Sequence, residues 1–324
     1  MAIPRRIKRL AGRHALVDGI PFQLPVASKA SPALMAAFPI DAEKAQALIP
    51  GNEIQVLRWG RRAFLLVTVI DYRHTNIGKY VEYSVGIACT HGRRRVPLPL
   101  AMLLAKTFGT GQYVYDLPVS SLVSVKGGKG IWGMPKHQAN LDFVVGDEWV
   151  SSRYDLDGKM VMKVEVKRKK AWLPLKAGAV NWCSFRGLLM KSSIYFAGKL
   201  GFSLLKKDDA RITLGDHPRA GALRALDIGA PLFSGFFPET HGVLDDHFEC
   251  WFESFETPPA AAPEGMESVL WLPRSEDWLP PPGAPEADRQ QHEQERIFVG
   301  FTQVVSRAQA ESAAVAAGEA EGGS

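Results

Sequence analysis

The feature that most restricts what this chain can fold into is Lys159-Met-Val-Met-Lys-Val-Glu-Val-Lys167, whose apolar residues recur at every second position. A period of two puts alternate side chains on opposite faces of a strand and cannot be laid along one face of a helix. Asp157-Gly158 stands just ahead of it and reads as a tight hairpin turn to Trp149-Val-Ser-Ser-Arg-Tyr-Asp155. The same alternation runs through Tyr80-Val-Glu-Tyr-Ser-Val-Gly-Ile87. Phe64-Leu-Leu-Val-Thr-Val-Ile70 is β-branched and apolar throughout, as a strand covered on both faces would be. Phe248 to Ser254 is a further candidate strand.

Helical signals are fewer. Asp41 is a good N-cap for Ala42 to Ile49, and Pro50-Gly51 is the stop. Leu98 to Phe108 is apolar with a basic end. Phe185 to Leu205 also reads as a helix, with a broad apolar face and scattered lysines. No steady β-α-β alternation is visible, which argues against a doubly wound parallel sheet. The expected fold is a β-rich α+β fold, a closed or sandwiched antiparallel sheet with helices inserted. Residues 1–256 are expected to form this domain. Past Thr257, Pro258 to Pro263 and Pro280-Pro-Pro-Gly read as linker, and a polar tail with a disordered Ala/Glu/Gly end completes 257–324.

Composition narrows the class. The chain has 324 residues, 46% hydrophobic and 23% charged, enough for a substantial core. No charge-free stretch reaches the roughly 18 apolar residues that span a bilayer, and the basic arm from Arg5 to Arg13 is followed by no apolar signal region. An integral membrane protein is not expected. Cys89, Cys183 and Cys250 are far apart and form no C-x-x-C pair, so a reduced, cytoplasmic setting is the expectation. The net charge of +5 suits a small acidic substrate. The basic run Lys167 to Lys170 has only Trp172 near it, too little aromatic interleaving for a nucleic-acid module. His241, Asp245, Asp246, His247 and Glu249 are metal-ligand types, but they read as a solvated loop beside a strand.

The segment richest in chemistry is Val125-Lys-Gly-Gly-Lys-Gly-Ile-Trp-Gly-Met-Pro-Lys-His-Gln138. Gly128, Gly130 and Gly133 match G-x-G-x-x-G, but a dinucleotide site needs a helix opening directly after them. Pro135 and an alternating run follow instead. The better reading uses Gly133-Met-Pro-Lys136. With Ile77-Gly-Lys-Tyr-Val-Glu82 upstream and the early helix Asp41 to Pro50, it resembles the acetoacetate decarboxylase superfamily. In that family a G-x-P-K motif after a glycine-containing turn presents a Schiff-base lysine, and an upstream segment ends in an active-site glutamate.

The resemblance implies a barrel-like sheet, Lys136 as the imine-forming lysine and Glu82 as general acid/base. It implies no metal, flavin or nicotinamide, and a homo-oligomer. An amine attacks a carbonyl only when unprotonated, and apolar surroundings favour the uncharged form; acetoacetate decarboxylase is itself the standing example of this activation. Ile131, Trp132 and Met134 supply such surroundings, Trp132 and Met134 being candidate substrate contacts, and Tyr80 and Tyr83 flank Glu82. Two positions depart from the family pattern. Its second lysine is replaced by His137, a candidate for orienting substrate. Its substrate-binding arginine falls near Ser31, leaving Arg73 or Lys29 as replacements. The expected activity is therefore a carbon-carbon lyase that decarboxylates a β-oxo acid, acetoacetate-like or bulkier. Pro97 to Phe108 and Phe185 to Leu205 are read as apolar inserts that enlarge or cover the pocket. An aldolase or dehydratase acting through the same imine is the alternative, as is a non-catalytic small-molecule binding protein.

Overall fold

The computed structural model describes residues 13–245 and 247–254, which belong to one compact unit. The expected linker and tail, and most of the basic arm, lie outside the described residues. The labelled strands are β1 (Arg13–Val17), β2 (Ile20–Leu24), β3 (Val26–Asp41), β4 (Arg62–Tyr72), β5 (Tyr80–His91), β6 (Gly111–Val119) and β7 (Lys136–Gln138). They continue with β8 (Trp149–Leu156), β9 (Lys159–Lys167), β10 (Leu173–Phe185), β11 (Leu188–Leu204), β12 (Ala210–Leu214) and β13 (Phe233–Leu244). The helices that matter here are α1 (Ala42–Ala47), α2 (Leu98–Leu103) and α3 (Leu122–Trp132).

Strands β3, β4, β5, β6, β10, β11 and β13 pair in that order, and β13 returns to β3, so the sheet closes into a seven-stranded barrel. All these pairings are antiparallel except β6 with β10. A second, five-stranded sheet, in which β8, β9 and β12 are joined by the short strands Asn140–Leu141 and Val144–Val145, lies against the outside of the barrel. The period of two sorts the side chains. On β4, Leu65, Val67 and Val69 point outward into the core beneath the second sheet, while Leu66, Thr68 and Ile70 point into the barrel. The run Phe64–Ile70 is thus covered on both faces, one by core and one by the barrel lining.

The hairpin read at Asp157-Gly158 forms as expected, with φ of 51° and 74° at the two turn residues. Asp41 caps α1, its carboxylate accepting the amides of Glu43 and Lys44 at 3.0 and 2.9 Å.

The expected helix from Phe185 to Leu205 is a strand. Its lysines and apolar groups belong to β11, which pairs with β10 from Leu173↔Leu200 to Phe185↔Leu188. The connecting turn is Arg186-Gly187, both residues at positive φ (55° and 77°). Arg-Gly is a weak hairpin signal, and the apolar character of both barrel faces masked the alternation. Within β11 a Cβ at Gly201 would stand 2.2 Å from the Lys169 carbonyl oxygen, so the close backbone approach there requires glycine. Leu98 to Phe108 is helical only over α2, which packs through Leu98 and Ala101 against Leu57, Phe64 and Ala88. Among the described residues, no helix is long and apolar enough to cross a membrane.

Candidate active site

Lys136 begins β7, a short strand laid parallel to β6 with Leu117 opposite Lys136. Directly before it comes α3, where the sequence predicts only a glycine-containing turn. Helix propensity alone disfavours so many glycines, each costing about 1 kcal/mol relative to alanine. Tertiary contact decides otherwise. A Cβ on Gly127 would fall 2.6 Å from the Phe22 ring, and one on Gly130 would fall 2.6 Å from Val17 Cγ1. The β1–β2 hairpin therefore seats directly on the helix backbone. Gly133 ends the helix in the left-handed region at φ 62°, its amide returning to the carbonyls of Gly128 and Lys129. The chain then turns through Pro135, with the Lys136 amide donating to the Met134 carbonyl at 2.7 Å.

The Lys136 side chain runs past Gly128 into the barrel and is only 5% exposed. Its Nζ lies 2.6 Å from Glu82 Oε2 and 2.9 Å from Ser124 Oγ. It also lies 5.6 Å from the centre of the Tyr80 ring. Glu82 comes from β5 and Ser124 from α3, so three elements converge on one amine. Burial and the Glu82 charge push the phenols of Tyr72 and Tyr80 well above their ordinary range, keeping both as neutral hydrogen-bonding groups. Lys136 and Glu82 line a cavity of about 370 Å³ inside the barrel. Its wall is largely apolar, with Met35, Leu66, Ile70, Phe196, Phe233 and Phe237 contributing. Among the described residues lining it, Lys136 is the only cation and Glu82 the only anion. At another point of the wall, Gln112 Nε2 donates to Asn181 Oδ1 at 2.9 Å.

The sequence-predicted candidates separate into two groups. Lys136, Glu82, Tyr80 and Met134 line the cavity. The structure does not bring His137, Tyr83, Trp132 or Arg73 to it. His137 follows Lys136 along a strand, so its ring turns to the opposite face. There Nε2 meets Tyr154 Oη at 2.8 Å and Nδ1 lies 3.5 Å from Asp116. Burial lowers the His137 pKa, and the neighbouring Asp116 carboxylate works in the opposite direction. Arg219 completes that network with contacts of 3.1 to 3.2 Å to Asp116. Tyr83 faces the outer core against Tyr154. Trp132 is buried beside Met134, its indole donating to the Asp245 carbonyl at 3.0 Å. Arg73 is half-exposed and bonded to Asp71 at 3.0 Å, and Lys29 is exposed. Ser124, Tyr72 and Ser84 are site residues the sequence reading missed. Ser84, two residues from Glu82 on an alternating strand, was legible in principle; Ser124 was not, because its helix was not read. Among the described residues, no group of three or more His, Cys, Asp or Glu side chains is arranged to hold a metal ion.

The closed, strand-rich barrel that holds the Lys136–Glu82 pair has the fold of acetoacetate decarboxylases. The family model described as acetoacetate decarboxylase (ADC) matches residues 12–185, more than half of the chain, and the protein belongs to that family. Among solved structures, an acetoacetate decarboxylase from Legionella pneumophila subsp. pneumophila str. Philadelphia 1 is similar in fold. Its TM-score is 0.53 at 14% identity, covering 71% of this chain and 88% of that one. The enduracididine biosynthesis enzyme MppR, in complex with pyruvate, matches with a TM-score of 0.50 at 12% identity, covering 70% and 90% respectively. No curated protein matches the sequence.

Proposed function

We propose that this protein is a carbon-carbon lyase that forms an imine between Lys136 and the ketone of an oxo acid, and that decarboxylation of a β-oxo acid is its reaction. The observation that carries this reading is a lysine amine, 5% exposed, held 2.6 Å from a carboxylate in an apolar cavity. Addition to a ketone needs the uncharged amine, and the Glu82 carboxylate 2.6 Å away can take its proton. The free amine adds to the ketone carbon, and loss of water leaves an iminium ion. The electron pair of the breaking carbon–carboxylate bond then moves toward the iminium nitrogen, releasing carbon dioxide and leaving an enamine. Glu82 gives the proton it took from Lys136 to the departing hydroxyl, takes another from solvent and delivers that one to the enamine carbon, and hydrolysis frees the ketone and Lys136. Ser124 holds the amine in line for this sequence through its 2.9 Å contact.

An aldol or retro-aldol reaction, or a dehydration, on the same iminium is the second reading. It is favoured by one observation: among the described residues, no cation besides Lys136 lines the cavity to hold a substrate carboxylate. The cavity volume and its apolar wall suit a substrate bulkier than acetoacetate. That preference now rests on the barrel interior, with Ile194 and Phe196 of β11 in the wall, and not on helical inserts. Reductive trapping with borohydride and a panel of β-oxo and 2-oxo acids, followed by peptide mass spectrometry, tests the proposal. An adduct on Lys136, absent in Lys136→Arg, supports it, and the adduct mass shows whether carbon dioxide has left. Ligand binding without an adduct on any lysine would leave a binding protein on the same fold.

A further inference from the structure

One polar atom in the cavity wall is left without a partner. Ser84 is 8% exposed, and its Oγ is buried with no hydrogen-bond partner among the described residues. It lies two residues beyond Glu82 on β5, so both side chains face the barrel interior, and both line the cavity. The intervening Tyr83 and the following Val85 face the outer core. Across the ladder Ser84 stands opposite Thr68, which also lines the cavity.

A buried hydroxyl with no partner keeps its desolvation cost uncompensated, and native proteins satisfy nearly all such groups. Ser84 lines the cavity, so a turn of its side chain to another staggered rotamer would present the hydroxyl to a ligand that can satisfy it. Its position says which part. Residues two apart on a strand are separated by roughly 7 Å, and on β5 the direction from Glu82 to Ser84 leads on to Ala88, which pairs with Gln112. Ser84 is therefore one step farther along the cavity than the amine that would hold the carbonyl carbon.

Building on the imine reading above, we propose that Ser84 is a substrate-binding residue whose hydroxyl hydrogen-bonds a second oxygen of the oxo compound held on Lys136. The ligand class this defines is an oxo compound with an oxygen acceptor a few bonds from its ketone and an otherwise apolar body. A carboxylate and an ester carbonyl share that chemistry.

The experiment compares wild type with Ser84→Ala by cyanoborohydride trapping on Lys136, using 3-oxooctanoate, its methyl ester and the simple ketone 2-octanone. In Ser84→Ala the half-saturating concentration for 3-oxooctanoate relative to 2-octanone rises roughly 3- to 10-fold, the value of one hydrogen bond. An equal rise with the ester assigns a neutral acceptor, and a rise with the acid alone assigns the carboxylate. Thermal unfolding supplies the second readout. Because the substitution removes an unpartnered buried hydroxyl, Ser84→Ala melts at or above the wild-type temperature. An unchanged ratio, or a lowered melting temperature, overturns the assignment of Ser84 while leaving the Lys136 adduct in place. A wild type that gives no Lys136 adduct with any of the three compounds overturns the imine reading and the Ser84 assignment together.

Discussion

Replacing Gly128 by alanine tests most directly how Lys136 is held. In an unconstrained helix interior this change is favourable by about 1 kcal/mol, since alanine orders more readily than glycine. Here the new methyl would stand 2.4 Å from Lys136 Cδ and 2.8 Å from Cε, where ordinary contact begins at 3.4 Å. One partner must therefore retreat by about 1 Å. The helix cannot easily be that partner, because Phe22 against Gly127 and Val17 against Gly130 fix its backbone on the other side. The lysine yields, and Nζ leaves its 2.6 and 2.9 Å contacts with Glu82 and Ser124. Misplacing a reacting group by about 1 Å costs on the order of 100-fold in rate, whereas the net change in fold stability stays within about 2 kcal/mol. The expected result is a folded Gly128→Ala protein whose Lys136 adduct forms about 100-fold more slowly under saturating ketone. Single-turnover trapping gives the rate and thermal denaturation the stability. A folded variant that reacts at the wild-type rate would refute the argument that the missing Cβ positions the lysine.

Three further outcomes are expected. With β-oxo acids of increasing chain length, kcat/KM rises by roughly tenfold for each added pair of methylenes that the apolar wall can bury; a series in which acetoacetate is turned over best would contradict the cavity reading. Native alkylation modifies exposed Cys250 and spares Cys183, whose thiol burial pushes up to about 12, and Cys89, raised by the same cause; labelling followed by mass spectrometry detects any early reaction at the two buried thiols. Glu165 is held down to about 2, first by its hydrogen bond to Arg211, against burial, with Lys163 adding to the effect. A lowered folded-state pKa stabilises above the unfolded value of 4.5 and loses that contribution as pH falls toward 2. Glu165→Gln should accordingly flatten the acid limb of a stability–pH curve over that interval, and a curve that keeps its slope would remove Glu165 from the account.

Much of the sheet could be read from local pattern, because a period of two is a property of neighbouring residues. The β8–β9 hairpin, β4, β5 and the Asp41 cap were all legible for that reason. Strands β10 and β11 were harder. Trp182 to Leu205 carries apolar residues on both sides, Ile194 and Phe196 facing the cavity and Leu189, Tyr195 and Ala197 the other way, and so imitates a helical face. Helix α3 was hidden for the opposite reason. Its glycines deny it propensity, and it exists because β1–β2 and Lys136 occupy the space their missing side chains leave.

The sequence by itself determined the family resemblance, the order of Glu82 and Lys136, and the strand-rich character of the chain, since these reside in short motifs and nearest-neighbour periodicity. Only the tertiary structure decided which candidates meet. Lys136 and His137 are adjacent in the chain, yet one points into the barrel and the other into the Asp116–Arg219 network outside it. Glu82 and Ser124 reach the same amine from 54 and 12 residues away. Such convergence depends on barrel closure and strand register, which arise from long-range pairing and leave no mark in any local stretch of sequence.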